Sequence, residues 1–150
     1  MNSESSWQVA FSATLHCLTG CAIGEVLGMI IGTAAGLSAG ATIALSIALA
    51  FLFGYSLTSL PLLRSGMALA VVAPLALASD TISIAVMEVV DNAIMLFIPG
   101  AMDQTLRDVG FYVALTAALI IAGAVAWPVN HWLIARGRGH AVMHEHHAHH

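Results

Sequence analysis

The sequence predicts an all-α, polytopic bundle of four transmembrane helices, and three observations carry that prediction. Hydrophobic residues make up 59% of the 150-residue chain and charged residues 8%, whereas soluble domains are roughly a quarter charged. Lysine is absent, and the only basic side chains besides histidine are Arg64, Arg107, Arg136 and Arg138. Four apolar stretches reach the length of about 20 residues that a helix needs to cross the hydrocarbon. Such a chain cannot cover itself with a water-soluble surface, so its first partner is the lipid bilayer. Nucleic acid is excluded, because neutralising phosphates takes clustered Lys and Arg.

The first span is expected from about Val9 to Gly32. Gly20, Gly24, Gly28, Gly32, Gly36 and Gly40 recur at every fourth residue, which forms a stripe without side chains along a helix. Such a stripe admits a second backbone at close range, and in lipid that contact replaces the missing hydrophobic drive. Gly20, Gly24, Gly28 and Gly32 are therefore expected as a packing face, and the last two glycines in the turn that follows. The partner of that face stays open: the second span, another helix of this chain, or a second copy in a homo-oligomer or larger membrane complex.

The second span is expected from about Gly40 to Leu60, closed by Ser59 and Pro61. The third apolar region, between Gly66 and Pro99, holds 34 residues, about 51 Å as one helix. Pro74 lies inside it and disfavours a straight helix. One long, tilted helix kinked near Pro74 is the preferred reading. The other is a split region, with a short helix through Ala78, in which Asp80 would be only a helix cap. The fourth span runs from about Val109 to Trp127, with Pro128 kinking or closing it and Trp127 and Trp132 as interfacial anchors. Short connections imply antiparallel neighbours.

Residues 1–139 thus read as one transmembrane helical domain, followed by a histidine-rich tail at 140–150. The acidic start and the absence of a small-residue cleavage site argue against a signal peptide. Three arginines (Arg64, Arg136 and Arg138) share one side of the four-span topology with both termini, against Arg107 on the other. The positive-inside bias therefore puts the termini in the cytoplasm.

The chemistry-bearing residues sit inside the spans. Cys17, Cys21, Glu25 and Met29 form a second four-residue series, stacked along one face of the first helix, with His16 about 100° around from Cys17. Thiolates and thioethers suit soft ions such as Cu(I), and imidazole accepts copper, zinc or iron. A Cys17–Cys21 disulfide is not expected, since Cβ atoms one turn apart are too distant. Cysteine and methionine also serve as plain core fillers. Glu25 shifts the balance, because a carboxyl inside the hydrocarbon costs about 2.5–3.5 kcal/mol on insertion scales and marks function.

The third region offers Asp80, Ser83, Met87, Asp91 and Met95 along one face, with Glu88 and Asn92 adjacent. Up to four carboxyl groups then share the core with no lysine or arginine inside the spans. They must hold protons, meet water or bind a metal ion. The expected site is an intramembrane transition-metal site, for copper ahead of zinc or iron, built from His16, Cys17, Cys21, Glu25, Met29, Met87, Glu88 and Asp91. In the tail, His140, His144, His146, His147, His149 and His150 suit metal gathering; the interruptions at Glu145 and Ala148 set the run apart from a simple six-histidine tag.

The run from His16 to Glu25, reading HCLTGCAIGE, and the run Pro128 to His140, reading PVNHWLIARGRGH, resemble an uncharacterised bacterial family of short four-span membrane proteins. The resemblance covers about Phe11 to His140 and implies a small polytopic protein of the bacterial inner membrane. It carries over no catalytic or binding residue, because the family's function is unknown. From the residues themselves the leading expectation is binding or transfer of a transition metal. The alternative is a structural or assembly subunit packed through the glycine ladder, and a third reading is proton-coupled passage of a small cation along the acids. Enzymatic function ranks last, as no hydrolase elbow, phosphate loop or zinc-protease pattern is present.

Overall fold

The computed structural model describes residues 3–103 and 105–136. Four helices follow one another: α1 (Ser3–Ala34), α2 (Ala39–Arg64), α3 (Leu69–Phe97) and α4 (Val109–Ala135), with a short 3-10 turn at Ala101–Asp103 between the last two. There is no strand among the described residues. Each helix is long and apolar enough to cross a membrane, so the chain is a multi-pass helical protein.

Two helices run further than the prolines suggested, and the third region follows the preferred reading of one long helix. α2 continues through Pro61 to Arg64 and α4 through Pro128 to Ala135, while α3 passes Pro74 unbroken. Each proline removes only one backbone donor, and in a membrane bundle neighbouring groups absorb that loss. The 29 residues of α3 make about 43 Å of helix. Region three is therefore one helix. Asp80 lies in its middle, fully buried, and is not a cap.

The turns are built by glycine and short side chains. Gly36 ends α1 with φ +65°, a conformation open to a residue without Cβ. The Leu37 amide donates to the Gly32 carbonyl at 2.9 Å and the Gly36 amide to that of Thr33 at 3.2 Å, a Schellman closure. Gly66 (φ +90°) ends α2 in the same way. At the head of α2, Ser38 Oγ accepts from the Ala41 amide. Before α4, Asp108 Oδ2 accepts from the Thr105 amide at 2.7 Å and from the Thr105 hydroxyl at 2.9 Å. These donors, the amide first, hold the Asp108 carboxyl below the usual carboxylate range.

The glycine stripe of α1 lies on α2. A Cβ on Gly20 would come within 2.8 Å of Gly54 Cα, one on Gly24 would collide with the Ala50 backbone, one on Gly28 with Ser46, and one on Gly32 with Thr42. The facing residues of α2 step back by four each time, so two small-residue stripes run antiparallel in register. Gly40 and Gly36 have nothing within 4 Å of such a Cβ. The four packing glycines are thus occupied inside the chain.

At the terminal end, α1 is tied to α4. The Trp7 ring stacks on His131 with centroids 3.8 Å apart, and Trp127 meets Trp7 edge-on. Trp127 Nε1 donates to the Trp7 carbonyl at 3.2 Å, and Ser6 Oγ lies 3.1 Å from His131 Nε2. Deeper in, Asn130 Nδ2 donates to Thr14 Oγ1 at 2.9 Å, and that hydroxyl donates to the Ala10 carbonyl.

Gly24→Leu should destabilise the detergent-solubilised protein by about 1–3 kcal/mol or more through overpacking. Gly40→Ala should leave its thermal unfolding unchanged or slightly raised. At neutral pH, Asp108→Asn should speed amide exchange at Thr105. Because the folded-state titration of Asp108 is depressed, its contribution is present above the ordinary carboxylate range and lost as pH falls through the depressed value. The difference between the two proteins should therefore close on acidification.

Candidate functional site

With the glycine stripe turned to α2, the series Cys17, Cys21, Glu25 and Met29 faces α3. The two helices run parallel and pack level by level. Cys17 lies against Ser83, Cys21 against Glu88, and Glu25 against Asp91. Cys21 and Met87 share one buried cluster, and Met29 packs into another that contains Met95. Cys17–Ser83, Cys21–Met87, Glu25–Asp91 and Met29–Met95 are each 66 positions apart. An acid–sulfur seam thus runs along the bundle, with a carboxyl pair between a thioether pair on one side and a thiol–thioether level on the other.

Almost nothing in this seam reaches the lipid surface. Glu25 is 7% exposed, Glu88 3%, Asp91 2%, and Cys17 and Cys21 1% each. Donors are unevenly shared among the acids. Ser79 Oγ donates to Asp80 Oδ1 at 2.8 Å, and Asn92 Nδ2 donates to the Glu88 carbonyl at 2.9 Å and to Glu88 Oε2 at 3.4 Å. The Glu25 and Asp91 carboxyls interact with each other, and no further hydrogen bond of regular geometry reaches either Glu25 oxygen, Glu88 Oε1, Asp91 Oδ1 or Ser83 Oγ. Buried polar groups are nearly always paired, and two carboxyls paired with each other are an uncommon filling for a membrane core.

A cavity of about 270 Å³ leads to it. Glu25 and Asp91 line its inner part, Met29 and Met95 its middle, and Asp103 and Thr105 the end nearest the α3–α4 connection. Thr42 and Ser46 of α2 and Phe111 and Leu115 of α4 close its sides. A bilayer-embedded carboxyl is thereby given a route to the interface on the side opposite the termini.

The expected site residues separate into two groups. Glu25, Asp91, Glu88, Cys21, Cys17, Met87 and Met29 all belong to the seam. His16 does not line the cavity; it falls in the same four-residue series as the packing glycines, which turns it toward the α2 side. Both cysteines are free. No three of His, Cys, Asp and Glu among the described residues come together closely enough to hold a metal ion. The tail histidines His140, His144, His146, His147, His149 and His150 lie outside the described residues.

The match to a family model covers residues 6–139, a domain of unknown function designated DUF4396. The chain belongs to the DUF4396 family. Neither a curated protein nor a solved structure matches it. The matched range takes in all but the first residues of α1 and the whole of α2, α3 and α4. The acid–sulfur seam thus lies wholly inside the DUF4396 domain.

Sequence reasoning missed the wall supplied by α2 and α4 to the DUF4396 cavity. Thr42 and Ser46 offered a signal, being hydroxyls four residues apart in an otherwise apolar span. Phe111 and Leu115 offered none, since nothing separates them from lipid-facing residues of the same helix. Glu25→Met leaves the buried Asp91 without its carboxyl partner, so it should lower the thermal stability of the protein by about 1–3 kcal/mol, the cost of an unsatisfied buried group. Asn130→Ala should lower it by a similar amount, because Asn130 is a satisfied partner of Thr14.

Proposed function

We propose that this protein binds a transition-metal ion inside the bilayer, copper ahead of zinc or iron, and holds or transfers it along the α1–α3 seam. The observation that carries the reading is the Glu25 carboxyl. It is buried in the membrane span, its partner is a second buried carboxyl, that of Asp91, and both line the cavity. Such a group invites a cation. Cys21, Glu88 and Met87 continue the donor set one turn deeper. Since these groups do not form a ready-made metal cage, the ion is gathered by side-chain rearrangement around Glu25 and Asp91. His16 acts at most from the α2 side.

In the same reading the protein sits in the bacterial inner membrane with its termini in the cytoplasm, and the cavity opens on the opposite face. The histidine tail would then gather or receive ions on the cytoplasmic side. An assembly role through the glycine stripe has lost its specific support, because α2 fills that stripe. A homo-oligomer or larger complex would have to use another face.

The test is metal analysis of the full chain, purified in detergent after growth with copper, with the tail histidines replaced by alanine. One copper per chain is expected, falling to background in Glu25→Gln and strongly reduced in Asp91→Asn. A metal-free tail variant, or copper content indifferent to Glu25, would sink the proposal.

A further inference from the structure

Met29 and Met95 occupy corresponding places on two different helices. Each stands four residues beyond a carboxyl, Met29 after Glu25 on α1 and Met95 after Asp91 on α3, about 6 Å further along the helix. Both line the cavity that contains the two acids, and both pack in the same cluster. Beyond them, toward the interface, the lining turns to Thr33 and Leu37 on α1 and to Asp103 and Thr105 in the α3–α4 connection. An ion moving inward from that end must pass the thioethers before it meets the carboxyls.

Two methionines at one level of an ion route are unsuited to a hard ion. A thioether has no charge and is a poor ligand for Mg²⁺, Ca²⁺ or Mn²⁺, which take oxygen donors; it is a good ligand for a soft monovalent ion. The carboxyl pair alone would accept either kind. The Glu25 and Asp91 carboxyls, both more than nine-tenths buried, in contact with each other and placed in the cavity wall, supply the charge that draws a cation in, and the thioethers supply the discrimination.

We infer that Met29 and Met95 form a paired thioether station that selects soft monovalent ions, cuprous ion in chemical class, for the carboxyl site beneath it. The inference rests on the proposed intramembrane cation site and names the ion class it admits. No electron transfer is involved: the ion arrives reduced, exchanges water for two thioether sulfurs, and passes on to the carboxylates. Specificity comes from a station where hard cations lose hydration without gaining a suitable ligand.

The test uses Ag(I) as a redox-inert soft probe and Mn(II) as a hard one. Both are titrated by calorimetry into the full chain in detergent, in a background carrying Cys17→Ser, Cys21→Ser and alanine at the tail histidines. Wild-type methionines should give one Ag(I) site, weakened about tenfold or more in Met29→Leu and in Met95→Leu. Mn(II) binding should be the same in both leucine variants as in the background protein, which shows that the bundle and its acids are intact. Unchanged Ag(I) binding in both leucine variants would overturn the station. So would equal loss of Ag(I) and Mn(II), which would make the methionines packing residues. If instead Ag(I) depends on the methionines while neither ion responds to Glu25→Gln, the station stands and the carboxyl site proposed above fails.

Discussion

The backbone contact between α1 and α2 decides where every other side chain of α1 points. In lipid there is no hydrophobic gain from pressing two helices together, so close approach has to come from the absence of side chains. Gly20, Gly24, Gly28 and Gly32 supply it against Gly54, Ala50, Ser46 and Thr42. Once that stripe is fixed on α2, the next position along the chain is turned by about 100°. Cys21, Glu25 and Met29 each follow a glycine directly, so the sulfur and carboxyl series faces α3 as a consequence. His16, one position before Cys17, is carried to the glycine side by the same rotation.

The acids of α3 then meet α1 under graded conditions. Asp80 has Ser79, and Glu88 has Asn92. Glu25 has neither hydroxyl nor amide of regular geometry at its oxygens. Its partner is the carboxyl of Asp91, and both acids line the cavity. A structural polar clamp is ordinarily built from a donor and an acceptor, since a clamp is stabilising only when its hydrogen bonds are made. An acid set against an acid in the cavity wall is therefore the argument for an incoming cation, independent of which cation is considered.

Much of this was legible in the residues. The span count, the glycine packing face and the column of Cys17, Cys21, Glu25 and Met29 all follow from length and from a spacing of four. The acids of α3 were legible as a face once the helix was taken as continuous. Helix ends were less so, because proline is a strong stop in water and a weak one inside a bundle. Asp80 was ambiguous for that reason alone. His16 was grouped with the sulfurs by nearness in sequence, although its own four-residue series already assigned it to the glycines. The parallel register between α1 and α3 was not legible, since it depends on the length of α2 and of both turns. That register is what pairs Glu25 with Asp91.

The residues that permit the α1–α2 contact also help to build the cavity. Thr42 and Ser46 face Gly32 and Gly28, and the same two side chains stand in the cavity wall near Glu25 and Met29. Larger residues there would push the helices apart and fill the route to the acids at once. Alanine would preserve the approach of the helices but strip hydroxyls from the passage. Small size is thus required at these two positions by the fold, and their hydroxyls add polarity to the cavity wall beside a buried carboxyl. A larger residue at either position would therefore alter the packing device and the candidate site together.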